Sequence, residues 1–339
     1  MDLSLSSEQR QLVDSFAAMY ARESTSERVR AAEPLGFDAQ LWKSLQETGA
    51  VEMAVAEAAG GWGASELELA LIAEQYGRAL ASAPLIEAQV AARLLGGCGT
   101  AGAQLLTGVL RGDKLVSFAP RAASNGVLTL VPGGAVADAV VALVGERLIA
   151  VPIGADRQLV HNLGSLPLAD VAIADGAVVL AEGDDACRMF FDALDLWLAL
   201  TSAALAGAAK KAVELGVEYA KQRHAFGTLI GSFQAVSHPL ADSATAADGA
   251  LLLAFEAACA FVDEPARVTE LAAMAFAFAY ETARDATRHS LHIHGGYGFG
   301  MEGDIQLYYR RTRGWVMVFG ESAVALDRVA DARYGAVAG

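Results

Sequence analysis

The segment from Tyr219 to His238 carries the first side chains that could do chemistry. Lys221, Arg223 and His224 concentrate cationic donors where a helical pattern ends in a glycine-rich turn. Free backbone N–H groups beside an arginine that can make bidentate contacts suit a pyrophosphate. The alternative is a C-capping glycine, with lysine and arginine complementing the helix dipole. Taken by itself, the segment is compatible with either an anion site or an ordinary helix cap.

A second group runs from His289 to Arg310. Glycines at positions 295, 296, 298 and 300 allow a backbone to approach a ligand closely or to adopt a positive φ. Three histidines suggest a metal site, but His292 and His294 are two residues apart on a helical pattern and face different directions. No adjacent cysteine or aspartate completes a ligand set, so we predict no metal site. The glycines do not follow a strand pattern, which excludes a Rossmann motif.

Charge limits the partners of the chain. The formal net charge is -15 over 339 residues, which repels nucleic acid, and the only local basic run is Tyr308 to Arg313. A polyanionic ligand such as a dinucleotide or CoA would therefore bind only at locally basic or dipole-rich places. We expect no nucleic-acid binding.

Three further features bear on location. Cys98, Cys187 and Cys259 are far apart and lack metal-ligand spacing, so we expect reduced core thiols in a cytoplasmic protein. The residues from Met1 to Gln9 show neither a signal-peptide nor a mitochondrial presequence pattern. The most apolar stretch, Leu194 to Ala209, is too short for a confident membrane span and predicts a helix buried on all sides.

The elements that must position these motifs follow the order helix, strand, helix. Residues 1–112 show apolar spacing typical of helices, residues 113–182 show short β-type runs, and residues 183–339 return to long Ala- and Leu-rich segments. The predicted fold class is α+β, mainly α. It comprises an N-terminal all-α domain (1–112), a small β domain (113–182) and a C-terminal four-helix bundle (183–339).

Taken together, the two motifs resemble the acyl-CoA dehydrogenase family. Its Arg-x-x-Phe-Gly and Gly-x-Phe-Gln pattern is matched by Arg223, Phe226, Gly227, Gly231, Phe233 and Gln234. Its glycine turn, acidic residue and Tyr-x-Arg run are matched by Gly295, Gly296, Gly298, Glu302 and Tyr308 to Arg310. The segments Gly60 to Ser65 and Ile72 to Arg78 are similar to the family's N-terminal glycine turn and following helix. The resemblance covers the whole chain, with a degraded middle.

The resemblance implies an FAD gripped across a subunit interface. Arg223 would contact the pyrophosphate, Phe226 and Gln234 would flank the adenosine, and His292 with Gly296 would line the nucleotide channel. His292 replaces a more usual glutamine, and Ala225 replaces a common hydroxyl residue. The implied cofactor-binding set is Arg223, Phe226, Gly227, Gln234, His292, Gly295 and Gly296.

Family members remove the α-proton of an acyl thioester with a glutamate while the flavin accepts the β-hydride. Counting without gaps puts Phe319 at the usual position of that base and Trp197 at its alternative position on the preceding helix, where Leu198 replaces an arginine. Asp195 and Glu321 are the nearest carboxylates and could serve only in a different register. We expect Trp197 and Phe319 to fill the space where substrate would bind.

The β domain also departs from the family pattern. Family members carry a Thr-Glu-Pro-Gly-Ala-Gly-Ser-like segment and a tryptophan strand against the flavin ring, whereas here Ser117-Phe-Ala-Pro runs directly into Arg121. We therefore expect the flavin-facing half to be deleted. Some family members, notably in actinobacterial steroid and cholesterol side-chain degradation, are heterotetramers of two related subunits. The chain resembles the degenerate subunit of such a pair.

Three functional hypotheses follow. The first is a subunit of an FAD-dependent acyl-CoA dehydrogenase whose related partner supplies the base, the flavin seat and most of the acyl pocket. The resemblance implies an acyl-CoA substrate, steroid-derived by analogy, and electron-transfer flavoprotein as acceptor. The second is an autonomous dehydrogenase that uses Asp195 or Glu321. The third is a cofactor-free helical scaffold, against which Arg223 and the retained glycine turn argue.

Overall fold

The structure is a computed structural model that describes residues 4–154, 157–173 and 176–335. The ends of the predicted first and last domains, residues 1–3 and 336–339, therefore lie outside the described residues, as do two short gaps in the predicted β domain. The first part of the chain is helical, as predicted. Its α-helices are α1 (Ser7–Glu23), α2 (Ser26–Ala32), α3 (Ala39–Glu47), α4 (Glu66–Arg78), α5 (Leu85–Gly97) and α6 (Ala103–Leu110).

Strands follow, and the short β-type runs predicted from the sequence are confirmed. They are β1 (Val116–Phe118), β2 (Val127–Val131), β3 (Ala139–Val144), β4 (Arg147–Pro152), β5 (Gln158–Leu159), β6 (Ala169–Ala172) and β7 (Val178–Glu182). Among the described residues, one sheet has the order β1-β3-β4-β7 and another has the order β2-β6-β5. Only the β1–β3 pair is parallel in these two sheets.

Helices return after the sheets, as predicted from the long Ala- and Leu-rich segments. The elements are α7 (Gly183–Gln222), a hairpin of β8 (His224–Ala225) and β9 (Thr228–Leu229), α8 (Gln234–Asp263), α9 (Val268–His294), α10 (Gly296–Phe299), α11 (Ile305–Met317) and α12 (Ser322–Tyr334). Helices α7, α8 and α9 are long, and α9 packs against α8, α11 and α12. In its described residues, the region predicted as a four-helix bundle thus contains three long helices, the two shorter helices α11 and α12, and the four-residue α10.

The chain divides into two compact units. The first contains the described residues within Met1–Ser26, Ala70–Ala81 and Leu198–Gly339, and the second contains Glu27–Leu69 and Ser82–Trp197. Helices α4 and α7 contribute residues to both units. The division into three domains at 112 and 182 stays a prediction.

The apolar segment of α7 is buried in the protein core. Every residue from 193 to 209 is buried, which confirms the predicted buried helix. By length and composition, α7 and α8 are each apolar enough to cross a membrane. In α7, however, 83% of the apolar window is buried inside the protein, against 44% in α8. Burial of this kind is typical of core helices, which also pass a test of length and composition.

Two glycines set the contact between α4 and α7 in the first unit. A Cβ at Gly77 would lie 1.9 Å from the carbonyl oxygen of Ala204, and a Cβ at Gly207 would lie 2.2 Å from that of Glu74. The two backbones therefore approach more closely than any larger residue allows. Beside this contact, Arg78 donates two hydrogen bonds to the carboxylate of Glu214, at 2.7 and 3.0 Å.

The three cysteines are free thiols, as expected, but their predicted place in the core is wrong. Cys98, Cys187 and Cys259 are all partly exposed. Cys187 and Cys259 lie on α7 and α8, and Cys98 directly follows α5, so helical periodicity alone did not determine their burial. Burial still raises the pKa of the Cys98 thiol to about 11, which keeps it protonated and unreactive at neutral pH.

Candidate functional site

A tight hairpin follows α7 and displays the first motif. His224 pairs with Leu229 and Ala225 with Thr228, so Phe226 and Gly227 form the two-residue turn. Their φ angles are 52° and 80°, the positive values that a type I′ turn requires at both central positions. Glycine adopts such values freely, whereas a bulky residue like phenylalanine rarely does. The hairpin therefore holds Phe226 in a strained conformation.

The phenyl ring of Phe226 gains little from the fold of this chain. It is 96% exposed, and its described aromatic neighbour is the ring of Phe233, edge-on at 6.3 Å. An exposed aromatic side chain on a strained backbone has no stabilising role in the isolated chain. Contacts beyond the one with Phe233 must come from outside the chain.

Arg223 stands at the base of the same hairpin, where its carbonyl accepts the N–H of Ile230 at 2.8 Å. Its exposed guanidinium makes no hydrogen bond or ion pair with any described residue. The neighbouring Lys221 instead faces Glu218 at 3.8 Å. A guanidinium held at a structured turn without an internal partner can still offer a bidentate contact to an external oxyanion.

The end of the motif leads into α8. A Cβ at Gly231 would lie 3.0 Å from the carbonyl oxygen of Ala220, so this glycine serves the packing of the turn on α7. Gln234 is exposed and is the first residue of α8. Phe233 caps that helix without a side-chain hydrogen bond, which leaves the positive end of the helix dipole available.

The glycine turn after α9 contains three glycines with different roles. Gly295 has φ 60° and ψ -142°, a conformation that glycine alone adopts readily. A Cβ at Gly298 would lie 2.8 Å from the Cβ of His294, so that glycine is needed for packing. A Cβ at Gly296 would meet nothing within 4 Å. The packing of this chain therefore does not explain why position 296 lacks a side chain.

The three histidines near this turn do not converge. His292 is exposed, His294 makes a 2.7 Å hydrogen bond through Nδ1 with the carbonyl of Ser290, and His289 makes one of 3.0 Å with the hydroxyl of Ser243. The expectation that His292 and His294 face different directions is confirmed. Within the described residues, no group of three or more His, Cys, Asp or Glu side chains is arranged to hold a metal ion.

Tyr219 brings the two motifs together. Its ring stacks on that of His294 with centroids 4.4 Å apart and lies parallel to that of Tyr297 at 6.4 Å. It precedes Arg223 by one helical turn, and His294 directly precedes Gly295. The arginine hairpin and the glycine turn, which hold all seven cofactor-binding residues expected from the sequence, thus lie at one end of the helical bundle. The role of Tyr219 was not anticipated.

The residues expected at the two base positions are buried aromatics. Trp197 is 1% exposed, and its indole N–H donates to Oε1 of Glu87 at 3.1 Å. Phe319 is 9% exposed and meets Phe276 edge-on at 5.4 Å. The weaker candidates differ in setting, since Asp195 is 2% exposed on α7 and Glu321 is exposed before α12. The catalytic roles considered for these residues stay predictions.

Glu87 was missed by the sequence analysis. It lies in the first turn of α5 among buried apolar residues. Burial raises the pKa of its carboxyl, and hydrogen bonds from its own backbone and from Trp197 only partly oppose that rise. The available signal was an acidic residue inside the run Leu85 to Ala92, which is otherwise apolar apart from Gln89.

The raised pKa predicts how stability depends on pH. In the unfolded chain the carboxyl of Glu87 has its ordinary pKa of about 4.3, and in the folded chain its pKa is higher. The stabilising contribution of Glu87 is therefore complete below about pH 4.3 and is lost as pH rises through the folded pKa. Glu87→Gln keeps an oxygen that accepts from the indole but cannot ionise. We expect this variant to melt at a higher temperature than the parent at pH 8 and at the same temperature below about pH 4.

Glu214→Gln is the matched control for this pH dependence. Burial raises the pKa of Glu214, but the hydrogen bond and charge of Arg78, with a contribution from Lys211, outweigh it and lower that pKa overall. Its substitution should therefore lower the melting temperature at neutral pH, with the difference shrinking in acid. Equal behaviour of the two variants from pH 4 to 8 would contradict the assignment.

The segment that departs from the family pattern is packed inside the second unit. Ser117 is buried and its hydroxyl donates to the carbonyl of Pro132. Phe118 is fully buried, with its ring 5.4 Å from that of Phe190. The deletion of a flavin-facing half stays a prediction.

Comparisons with known proteins agree on one family. The family model described as "Acyl-CoA dehydrogenase, N-terminal domain" matches residues 6–112, and "Acyl-CoA dehydrogenase, C-terminal domain" matches residues 193–333. Acyl-CoA dehydrogenase IpdE2 of Mycolicibacterium smegmatis is 30% identical over 334 residues, which cover 95% of this chain and 98% of that protein.

Solved structures share the fold over the full length. The ChsE4-ChsE5 complex from Mycobacterium tuberculosis matches with a TM-score of 0.89 at 23% identity, covering 100% of both chains. A variant of the steroid ACAD Tcur3481-Tcur3483 matches with a TM-score of 0.86 at 25% identity, covering 96% of this chain and 97% of the other. Two further structures with this fold are FAD complexes. The expected fold class is confirmed, and the chain belongs to the acyl-CoA dehydrogenase family.

Proposed function

We propose that this chain is the subunit of an FAD-dependent acyl-CoA dehydrogenase that grips the ADP portion of an FAD seated in a related subunit. The hairpin tip carries the proposal. Phe226 is strained and 96% exposed, and Arg223 beside it has no partner among the described residues. In the isolated chain, the strain at Phe226 is unfavourable and the guanidinium of Arg223 has no described partner. Against a nucleotide, the phenyl ring could pack on the aromatic base and the guanidinium could bind the phosphates.

The residues at this end fit an adenosine diphosphate group. Gly296 leaves open space, the start of α8 offers a positive helix end, and Arg223 offers a guanidinium. These are locally attractive features in a chain with a formal net charge of -15. Bound FAD supplies the acceptor for a hydride leaving the β-carbon of an acyl thioester. This chain's own contribution is to bind and orient the nucleotide.

Distance supports a grip on another subunit's cofactor. Helix α7 rises about 36 Å from Leu198, where the alternative base position would have its arginine, to Gln222 at the hairpin, at 1.5 Å per residue. An extended dinucleotide does not span that length. The grip at the C-terminal end of α7 and the base position about 36 Å before it on the same helix therefore serve different cofactors.

The proposed partners follow from the roles that this chain does not fill. The related subunit would contribute the base, the flavin seat and the acyl-CoA pocket, as part of a heterotetramer, with electron-transfer flavoprotein as electron acceptor. The ChsE4-ChsE5 complex supports a pairing of two different chains, and Tcur3481-Tcur3483 supports a steroid-derived acyl group. We place the assembly in the cytoplasm.

The first test is the visible absorption spectrum of the purified chain, alone and co-expressed with a related acyl-CoA dehydrogenase subunit. The proposal expects a colourless chain and a yellow complex. Stoichiometric FAD in the lone chain, bleached by thioester, would favour an autonomous enzyme that uses Asp195 or Glu321. A complex that assembles without FAD would favour the scaffold.

Arg223→Ala should weaken FAD retention in the complex. Loss of one charge-assisted contact costs about 1.5 to 3 kcal/mol, or roughly 10- to 150-fold in the dissociation constant. Arg267→Ala is the control, because that exposed arginine is already paired with Glu264 at 2.7 Å on another part of the bundle. FAD release measured by fluorescence should separate the two, and unchanged retention in Arg223→Ala would refute the grip.

A further inference from the structure

The carboxylate of Glu87 has an unusual setting in the second unit. Its one side-chain donor among the described residues is the indole N–H of Trp197, and no cation pairs with it there. Glu87 is half-buried, and a carboxylate withdrawn from water without a cation is costly to keep. Leucine would suit the apolar packing of α5 at this position without that cost, so the carboxylate must act on the indole or on a ligand.

The indole is held in one orientation by this contact. Trp197 is 1% exposed, and the residues that flank Glu87 on α5, Ile86 and Ala88, are 4% and 2% exposed. A buried tryptophan needs an acceptor for its N–H, and Glu87 supplies one at the far end of the ring. The buried ring of Trp197 on α7 thus has its N–H directed at the carboxylate that α5 presents.

We propose that the indole of Trp197, anchored by Glu87, occupies the acyl cavity of this chain, so that this subunit accepts no acyl thioester of its own. The inference rests on the proposed function, which leaves thioester chemistry to the related subunit. It adds that the acyl cavity of this chain is filled by the indole of Trp197, in addition to lacking a catalytic base. One flat ring fills that cavity, and its hydrogen bond to Glu87 fixes the direction of the indole N–H.

The first experiment removes the indole side chain of Trp197 and adds indole back as a free molecule. Trp197→Ala leaves a slot that fits indole, with Glu87 placed to accept its N–H. Benzofuran has the same shape and no donor. In thermal unfolding of the isolated chain, indole should stabilise Trp197→Ala saturably and bind about tenfold tighter than benzofuran. Trp197→Ala combined with Glu87→Leu should lose that preference, and the parent chain should respond to neither compound.

Two outcomes would overturn the anchored-ring arrangement. If indole does not stabilise Trp197→Ala, the ring does not occupy a preformed slot. If indole and benzofuran bind that variant equally, Glu87 does not anchor the ring. Both readouts concern the isolated chain and do not depend on FAD or on a partner.

The second experiment tests the acyl assignment with S-hexyl-CoA, a thioether that cannot be dehydrogenated. Equilibrium dialysis should show binding to isolated Trp197→Ala and none to the parent chain. Binding to the parent would show that its cavity is open, and failure to bind the variant would show that the slot is not an acyl cavity. The FAD grip is judged separately from Arg223→Ala, so the two proposals can fail independently.

Discussion

Replacing Trp197 with alanine is expected to lower the free energy of unfolding by about 3 to 5 kcal/mol, the usual cost of truncating a buried large aromatic residue. The ring is 1% exposed, so its removal leaves a cavity and also deprives Glu87 of its donor. Urea denaturation of the isolated chain measures the loss. A change below about 1 kcal/mol would mean that the indole contributes little to the second unit.

Two further aromatic substitutions are expected to lower the free energy of unfolding by smaller amounts. Trp197→Phe keeps most of the ring and removes the N–H, so we expect an intermediate cost of about 1 to 3 kcal/mol from the unsatisfied carboxylate. Phe226→Ala removes a ring that is 96% exposed and should change stability by no more than about 0.5 kcal/mol. The expected order of cost is therefore Trp197→Ala, Trp197→Phe, Phe226→Ala.

Gly296→Leu is expected to weaken FAD binding by the complex about 100-fold while leaving the chain itself stable. The side chain would enter space that is open in this chain, because a Cβ there meets nothing within 4 Å. In the assembled complex, that space belongs to the nucleotide under the proposed function, and inserting extra methylene groups into a packed contact costs about 1 to 3 kcal/mol, or up to about 150-fold in the dissociation constant. FAD titration of the complex and urea denaturation of the chain measure the two quantities.

Gly298→Ala is the matched control from the same turn. Its Cβ would lie 2.8 Å from the Cβ of His294, so it should destabilise the chain, by about 1 to 3 kcal/mol. The pair of variants thus separates space needed for packing from space left for a ligand. If Gly296→Leu retained FAD at the parent level, the nucleotide would not lie over this turn.

The sequence was sufficient for the architecture and for the motifs at the end of the bundle. The breaks at Arg223 to Phe233 and at Gly295 to Gly303 carry local signals, because glycines and cationic residues interrupt an apolar helical pattern there. The short β-strands were equally recognisable from the spacing of the β-type runs along the sequence. In each case, residues close in the chain determine the local structure.

Other features depend on residues far apart in the chain. Glu87 and Trp197 are 110 positions apart, and no local pattern indicates that an acid on α5 meets an indole on α7. The stacking of Tyr219 on His294 likewise requires two helices to be packed. The cysteines were wrongly expected in the core because composition does not say which side of an amphipathic helix a small residue occupies.

The strained hairpin tip also bears on how a cell would keep two subunits in balance. A chain made in excess would present an aromatic tip and an uncovered arginine to chaperones and proteases, whereas an assembled chain would hide them. Degradation would then remove unpaired copies selectively. The steady-state amount of this polypeptide should follow that of its partner, even when its own synthesis is increased.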